Sequence, residues 1–306
     1  MENKQTVFAC DIGGSKLLCG FVTKTGKIVD TIRTPLYRDI CIEELEDYIE
    51  ASYQTLLSRN PDYQVVSCGM TIPGLADPKS GIWVHACFSG ISQYAVVERM
   101  GKRLNLSVYI ENDANACAWA EKVYGACRDC DNFLWVTVSN GVGGGLIIDG
   151  KIYEGPFGGA GEIGHVVVER NGLVCPCGHK GCLEAMAAGP GIAKRYLNLT
   201  GTSKNAAQIA DAAREGDADA LAIIHETAEY IGNALGKAAS LMNLERYVLG
   251  GGVMQSYDLM QEDIRKAFSE EAFENPNRKA EILQSALKYE AGLMGAAAVA
   301  WYTPWE

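Results

Sequence analysis

One histidine and three cysteines are the residues of this sequence whose types and spacing point most directly to chemistry. Thiolate sulfur and imidazole nitrogen are the ligands that a tetrahedral zinc ion prefers, and four protein ligands complete a closed, structural site. Glycines between the cysteines allow a short loop to bend around an ion. The sequence therefore predicts a structural zinc site, the alternative being four unconnected residues. The predicted ligands are His165, Cys175, Cys177 and Cys182.

Two carboxylates flank this predicted metal loop. Glu162 lies in the segment GAGEIGH, and Glu184 lies in CLEAMAAGP. A metal loop between two acids is typical of a scaffold that holds carboxylates still beside a polar ligand.

Three glycine clusters each follow an apolar, strand-like run, in DIGGSK (11–16), SNGVGGG (139–145) and LGGGV (249–253). Glycine at the end of a strand lets backbone N–H groups approach an anion, and successive amides form a nest for phosphate. None of the clusters matches the Walker A or the G-x-G-x-x-G pattern. The sequence therefore predicts phosphate binding in a different fold.

Asp11 directly precedes the first of these glycines. A carboxylate beside a phosphate nest is repulsive unless a divalent cation intervenes, so Asp11 predicts a magnesium position, directly or through water. The alternative is that Asp11 only caps the turn. Ser15 is a candidate donor to phosphate, and Lys16 points either to phosphate or to solvent.

A second acid, Asp113, follows an apolar strand in the segment ENDANA. An aspartate at that point either caps the following helix or serves as the base that takes a proton from an alcohol during phosphoryl transfer. Glu111, Asn112 and Asn115 lie in the same turn, whereas a cap needs one residue.

The elements that position these residues alternate between strands and helices. The first third is predicted as β-β-β-α-β-α-β-α, and a second β-β-β unit follows at 133–153. A long helix is predicted over about 218–243, with apolar residues on one stripe. Further along come a strand at 246–254, a helix at about 258–269, a strand at 281–287 and an Ala-rich helix at 290–302. The pattern predicts an α/β fold with mixed sheets.

Composition is that of a globular chain, with 306 residues, 48% hydrophobic and 21% charged. The net charge of −11 disfavours nucleic-acid binding, and no apolar run is long enough to span a bilayer. The chain has no signal-peptide pattern, which predicts a cytoplasmic protein. Eleven cysteines then favour metal binding and core positions such as Cys10, Cys19 and Cys68 over disulfides. The pair Cys127 and Cys130 forms an isolated C-x-x-C, interpreted as incidental.

Five segments resemble the ROK family, which comprises sugar kinases and related transcriptional repressors of the actin-like ATPase superfamily. They are DIGGSK, IENDANACAWAE, GVGGGLIIDGKIYEGPFGGAGEIGH, CPCGHKGCLEAMAAGP and LGGGVM. The resemblance runs from residue 7 to about 300. It implies two actin-like (ribonuclease H-like) lobes with a cleft between them, predicted as 1–116 with 290–306 and as 117–289. It further implies ATP, Mg²⁺ and a hexose as ligands, and a homodimer.

The resemblance also implies roles for individual residues. Asp113 matches the catalytic base, and the sugar-binding positions match Asn112, Glu162, His165 and Glu184. The phosphate and nucleotide positions match Asp11, Gly13, Gly14, Ser15, Lys16, Asn140, Gly141, Gly143, Gly144, Gly251 and Gly252, with Gly250 in the same adenosine-side turn.

Two departures from the family pattern bear on the ligands, the first on ATP and the second on the sugar. Ser139-Asn140-Gly141 replaces the usual Gly-Thr-Gly, and Asn140 retains a hydrogen-bond donor. Cys87 stands where glucose-phosphorylating relatives have a sugar-binding Asn, and a thiol is a weak hydrogen-bond partner. The leading prediction is a glucokinase-like enzyme; the alternatives are a kinase for fructose, allose or an N-acetylhexosamine, or a catalytically silent sugar sensor. A DNA-binding repressor is disfavoured, since only six residues precede the first strand at Val7.

Overall fold

The structure is a computed structural model that describes residues 4–37, 39–86, 89–274 and 279–303. The chain is a mixed α/β protein whose contacts divide it into two compact units. The first unit comprises Met1–Asp131, Gly150–Gly158 and Glu290–Glu306, and the second comprises Asn132–Asp149 and Gly159–Tyr289.

The first unit is built on a five-stranded sheet in the order β3-β2-β1-β4-β8. The first three strands form an antiparallel meander, whereas β1, β4 and β8 run parallel, as the alternation with helices predicts. The strands of this sheet are β1 (Gln5–Ile12), β2 (Lys16–Thr23), β3 (Ile28–Pro35), β4 (Gln64–Ile72) and β8 (Val108–Asn112).

Helices and a small antiparallel sheet complete this unit. The sheet, in the order β5-β6-β7, is made of Leu75–Asp77, Ile82–His85 and Ser92–Tyr94, and the short strand β11 is Lys151–Ile152. The helices are α1 (Ile42–Arg59), α2 (Val96–Leu104), α3 (Asp113–Val123) and α9 (Ala291–Trp301).

The core of the first unit is an apolar cluster between the sheet and helix α1. Phe8 and Phe21 face each other across β1 and β2 with ring centroids 6.1 Å apart, and Tyr53 of α1 packs 5.0 Å from the Phe8 ring. Edge-to-face and tilted ring pairs of this kind stabilise a core beyond their buried area. Cys10, Cys19 and Cys68 are fully buried, as predicted.

The Ala-rich helix α9 packs closely on this sheet because its small side chains allow it. A Cβ atom on Gly69 of β4 would lie 1.9 Å from the carbonyl oxygen of Ala296. Only glycine therefore permits β4 and α9 to approach this closely.

The second unit also contains a mixed sheet, in which four strands follow the order β10-β9-β12-β13. β9 and β10 are antiparallel, whereas β9, β12 and β13 are parallel. Its strands are β9 (Phe133–Val138), β10 (Val142–Ile148), β12 (Arg246–Gly250) and β13 (Glu281–Gln284). Its helices are α4 (Leu183–Ala187), α5 (Gly189–Thr200), α6 (Ala206–Arg214), α7 (Ala218–Met242) and α8 (Tyr257–Glu271).

The long helix α7 confirms the predicted element and its apolar stripe. Asp217 caps its N-terminus through bonds from Asp219 N and Ala220 N, and its buried face includes Ile224, Ile231 and Leu235. Among the residues that the structure describes, no helix has the length and apolar character needed to cross a membrane.

Candidate functional site

In the first unit, the turn that joins β1 to β2 carries the first predicted phosphate residues. The Gly13 N–H bonds the carbonyl oxygen of Lys16 at 2.9 Å, which closes the hairpin, and Gly14 and Ser15 are exposed at its tip. At the end of β1 the Asp11 carboxylate accepts Thr71 Oγ1 from the neighbouring strand at 3.0 Å. Burial raises the pKa of Asp11, against the bond from Thr71 and the charge of Lys16. Burial thus disfavours the ionised form of Asp11, and a nearby cation would stabilise it.

The predicted sugar ligand Asn112 is the N-cap of helix α3. Its Oδ1 accepts Ala114 N at 2.9 Å and Asn115 N at 3.2 Å, and its Nδ2 donates to the carbonyl oxygen of Gly74 at 2.9 Å. The side chain of Asn112 is thereby largely committed to holding the turn. Because Asn112 is the cap, the capping role considered for Asp113 falls to its neighbour.

Asp113 is the first residue of helix α3. Its Oδ1 accepts the Ala114 N–H at 2.9 Å, at the helix end where the backbone dipole favours a negative charge. Burial, followed by the nearby charge of Asp11, raises its pKa to about 6. A carboxylate with this pKa is ionised at neutral pH and still basic enough to accept a proton from an alcohol.

Glu111, one residue before the cap, is a buried acid that the sequence indicated only as part of a polar turn. Its Oε1 accepts Asn112 N at 2.8 Å and Asn115 Nδ2 at 3.2 Å, whereas Oε2 is buried without a hydrogen-bond partner in the described structure. Burial raises its pKa to about 8, against those two bonds and helped by the charge of Glu154. Glu111 is therefore mostly protonated at neutral pH.

In the second unit, the four predicted metal ligands lie together. One donor atom from each of His165, Cys175, Cys177 and Cys182 lies within 4.8 Å of all the others. Cys175 Sγ is 3.7 Å from His165 Nδ1, and Cys177 Sγ is 3.6 Å from Cys182 Sγ. Tetrahedral zinc with sulfur ligands has donor-to-donor distances of about 3.7 Å, so the donor set fits that ion.

The loop that carries these ligands, here called the knuckle (residues 165–182), is shaped by tight turns. Cys175 N bonds the carbonyl oxygen of His179 at 2.8 Å, and Gly178 N returns to the carbonyl oxygen of Cys175 at 2.9 Å. Gly181 has a φ of +69°, and a Cβ there would lie 1.5 Å from the carbonyl oxygen of Glu169. The glycine is therefore required by both the backbone and the packing.

The thiols of the knuckle differ in their acidity. Bonds from His179 and from Cys175 lower the pKa of Cys177 to about 6. Burial and the neighbouring thiols raise the pKa of Cys182 to about 12, and burial raises that of Cys175. Three adjacent thiols resist being ionised together, and a divalent cation removes that penalty.

The two predicted acids lie beside the knuckle. Glu162 is exposed, with its Oε2 3.9 Å from His165 Nε2, the nitrogen that faces away from Cys175. Glu184, in the first turn of α4, accepts the Val142 N–H on Oε2 at 3.1 Å, and its Oε1 is 3.9 Å from Cys175 Sγ. Glu184 therefore contacts both the knuckle and the second glycine cluster.

The second and third glycine clusters lie side by side. Gly251, at a φ of +95°, packs against the end of β9, where a Cβ would lie 2.5 Å from the carbonyl oxygen of Val138. Both clusters line a cavity of about 720 Å³. Its walls include Ser139, Asn140, Asn205, Asp211, Arg214, Gly252, Gln255 and Ser256.

The loop of the second cluster is shorter than the sequence indicated. Strand β10 begins at Val142, so that Gly143 and Gly144 pair with Thr137 and Val136 of β9. A Cβ on Gly144 would lie 2.5 Å from the carbonyl oxygen of Gly161. Close packing accounts for this glycine, and the loop itself is Ser139–Gly141, here called the glycine loop.

Both cysteines of the isolated C-x-x-C, Cys127 and Cys130, are buried. Cys87, expected at the sugar-selective position, lies outside the described residues.

Comparison with known proteins places the chain among sugar kinases. A glucokinase of Thermotoga maritima is 30% identical, over 97% of each chain. An N-acetylmannosamine kinase of Escherichia coli O127:H6 is 32% identical, over 96% of this chain and 98% of its own. The crystal structure of a ROK family glucokinase from Streptomyces griseus in complex with glucose and AMPPNP is 31% identical and matches with a TM-score of 0.84, over 96% of this chain and 99% of that one. The ROK family model matches residues 7–302, and this chain belongs to the ROK family.

Proposed function

We propose that the protein is an ATP-dependent sugar kinase, which transfers the γ-phosphoryl group of ATP to a hydroxyl of a hexose or hexose derivative. The observation that carries the proposal is the environment of Asp113. Because Asn112 caps helix α3, the Asp113 carboxylate is not needed as a cap, and its pKa of about 6 suits a base.

Asp113 accepts the proton of the attacking sugar hydroxyl. The hydroxyl oxygen forms a bond to the γ-phosphorus, the bond from that phosphorus to the β–γ bridging oxygen breaks, and ADP leaves with the electron pair. The products are a sugar phosphate and ADP, and the proton passes from Asp113 to solvent.

The nucleotide is assigned to the cavity lined by the glycine loop and Gly252. Backbone amides at these turns suit phosphate oxygens, and the polar wall residues suit the nucleoside. In the first unit, Asp11 is proposed to hold Mg²⁺ directly or through water. Gly13, Gly14, Ser15 and Lys16 are proposed to contact phosphate.

The sugar is assigned to Asn112, Glu162, His165 and Glu184. Carboxylates accept hydrogen bonds from paired hydroxyls, which reads a carbohydrate selectively. With zinc bound at the knuckle, His165 and the start of α4 would need little reordering when sugar binds. Four protein ligands leave no open position, so the ion is structural.

The test is release of ADP in a coupled assay, with Mg²⁺ and each of a panel of sugars: glucose, N-acetylmannosamine, fructose and allose. We expect at least one sugar to give turnover. The relatives named as glucokinase and as N-acetylmannosamine kinase make the first two the leading candidates. Sugar binding without turnover on any member would support a silent sensor instead.

A further inference from the structure

The Glu184 side chain connects two parts of the second unit, the knuckle and the glycine loop. Oε2 accepts the Val142 N–H at 3.1 Å, directly after the glycine loop. Oε1 lies 3.9 Å from the Sγ of Cys175, a knuckle ligand. One carboxylate therefore touches both the metal-binding loop and the loop assigned to phosphate.

The packing around this carboxylate leaves it little freedom. A Cβ on Gly141 would lie 2.8 Å from Glu184 Oε2, so glycine at that position is what lets the carboxylate reach the loop. The loop has a second tie to the same segment, since Gly189 N donates to the carbonyl oxygen of Ser139 at 2.7 Å. A shift of the α4 segment would therefore move the glycine loop with it.

Helix α4 is itself held by the knuckle at one end and by the helical layer at the other. Leu183 N bonds the carbonyl oxygen of Val166 at 2.9 Å, directly after the ligand His165. Arg195 Nε bonds the carbonyl oxygen of Met186 at 3.1 Å, and its guanidinium also bonds Glu226 and Thr227 of α7. The position of Glu184 thus depends on whether the knuckle is held in shape.

We propose that Glu184 couples metal binding at the knuckle to nucleotide binding at the glycine loop, so that zinc and nucleotide strengthen each other's binding. The proposal rests on the proposed function, in that it takes the cavity beside the loop as the nucleotide site. It assigns zinc a role in nucleotide affinity in addition to its support of the sugar-binding side chains. The coupling is reciprocal, because two ligands of one protein change each other's affinity by the same factor.

The first experiment measures the dissociation constant of ADP by titration calorimetry, for the zinc-loaded protein and after treatment with a zinc-selective chelator. We expect affinity to fall about tenfold without zinc, within the usual range for coupled sites. Zinc-loaded Glu184→Ala is expected to bind ADP as weakly as the metal-free protein. Glu184→Gln keeps an oxygen that can accept the Val142 N–H and should restore most of the affinity.

Glu162→Ala is the matched control, since the Glu162 carboxylate also lies beside a knuckle ligand, with its Oε2 3.9 Å from His165 Nε2. This variant is expected to keep the tenfold dependence of ADP affinity on zinc, whatever it does to sugar binding.

The second experiment measures the reciprocal effect on zinc affinity. The partition of zinc between the protein and a competing chromogenic chelator is measured at equilibrium, with and without saturating ADP. We expect ADP to tighten zinc binding about tenfold in the wild type and in Glu162→Ala, and to leave it unchanged in Glu184→Ala.

An ADP affinity independent of zinc in the wild type, or an unchanged coupling in Glu184→Ala, would overturn the proposal while leaving the kinase assignment intact. If the zinc-loaded wild type bound no ADP at all, the proposed function would fail together with it.

Discussion

At the scale of single residues, neighbouring side chains in the turn after β8 have different roles. Asn112 caps helix α3, and Glu111 accepts the Asn112 N–H within the turn. The Asp113 carboxylate, whose Oδ1 accepts the Ala114 N–H, is available to accept a proton from the substrate. The sequence left capping and proton transfer as alternatives for Asp113, because either use places an aspartate at a strand-to-helix turn. The hydrogen bonds that Asn112 Oδ1 accepts distinguish these two roles, because they show that Asn112 is the cap.

Replacing Asp113 with Asn tests its role as the base. The amide cannot accept the hydroxyl proton, so turnover should fall by about two to four orders of magnitude. Sugar affinity should change little, because the amide keeps the size and an oxygen acceptor. Steady-state kinetics and sugar titration measure both quantities. Asp62→Asn, at an exposed aspartate paired with Lys4, should be unaffected, and a near-normal rate for Asp113→Asn would assign the base elsewhere.

The pH dependence of kcat/KM follows from the raised pKa of Asp113. The base acts only when ionised, so activity should be constant above the pKa and fall about tenfold per pH unit below about 6. A pH–rate profile from pH 4.5 to 8 gives the position of this limb, with recovery at pH 7 as the check on unfolding. An acidic limb near the ordinary aspartate value would show that burial and Asp11 do not perturb this carboxyl.

The raised pKa of Glu111 predicts that the stability of the fold, rather than the reaction rate, depends on pH. Its pKa is about 8 in the folded protein against 4.5 in the unfolded chain, so the folded state holds a proton that the unfolded state has lost. Its contribution to stability is therefore complete below the unfolded pKa and is lost as pH rises to about 8. The loss is about 1.4 kcal/mol per pH unit.

Glu111→Gln removes this titration while keeping an acceptor for Asn112 N–H. From pH 6 to pH 8, the melting temperature of the variant relative to wild type should therefore rise by about 5–10 °C. Differential scanning fluorimetry at several pH values measures this. Glu98→Gln is the control, because a bond from Lys102 lowers the pKa of Glu98 and leaves it ionised throughout that window. Parallel pH profiles for Glu111→Gln and wild type would mean that Glu111 is ionised in the fold.

At the scale of elements, the sequence predicted those whose pattern is local and missed those set by distant contacts. The glycine-terminated strands β1 and β12 and the long helix α7 have clear periodicity or end signals. Strands β5, β6 and β7 have three or four residues each, too few for a period to show. The contact between Glu184 and Val142 joins residues 42 positions apart, and no local pattern indicates it.

The predicted domain boundary after residue 116 falls within helix α3. Helix α3 runs from Asp113 to Val123 without interruption, and the contacts group all of it with the first unit. A motif such as ENDANA marks where a helix begins, but the extent of a compact unit depends on what the helix packs against. Here that is largely helix α9, from the far end of the chain.

A side chain added at Gly292 of helix α9 is expected to displace Asp11. A Cβ there would lie 2.5 Å from Asp11 Oδ1, so Gly292→Ala forces the carboxylate assigned to Mg²⁺ to move. We expect a loss of about 1–3 kcal/mol in stability, as for other overpacked sites, and a raised Mg²⁺ requirement for activity. Thermal unfolding and Mg²⁺ titration of the rate measure these.

The matched control for Gly292 is Gly101, a glycine in helix α2 whose added Cβ would be 3.4 Å from its nearest neighbour. Gly101→Ala should be neutral or stabilise by up to about 1 kcal/mol, because alanine favours a helix. Equal behaviour of the two variants would show that Asp11 is not tightly held against α9.

At the scale of the whole molecule, each unit has its own apolar core and its own share of the predicted chemistry. The core of the first unit is centred on Phe8, Phe21 and Trp83, and that of the second on Ile231, Leu235 and Tyr247. All four proposed zinc ligands belong to the second unit. Zinc binding should therefore change the stability of the core of the second unit and not that of the first.

This separation predicts a selective effect of metal removal. Elemental analysis should find about one zinc per chain, and Cys177→Ala should lose it, since a three-ligand site binds zinc less tightly. Loss of a tightly bound ion removes about 4 kcal/mol of stabilisation, or about 10 °C in melting temperature. Calorimetry should show the transition of the second unit shifted down in Cys177→Ala and in chelated wild type, with that of the first unit in place. Cys41→Ala, an exposed thiol of the first unit, serves as the control. If both transitions moved together, zinc would support the two cores as one cooperative structure rather than the knuckle's own unit.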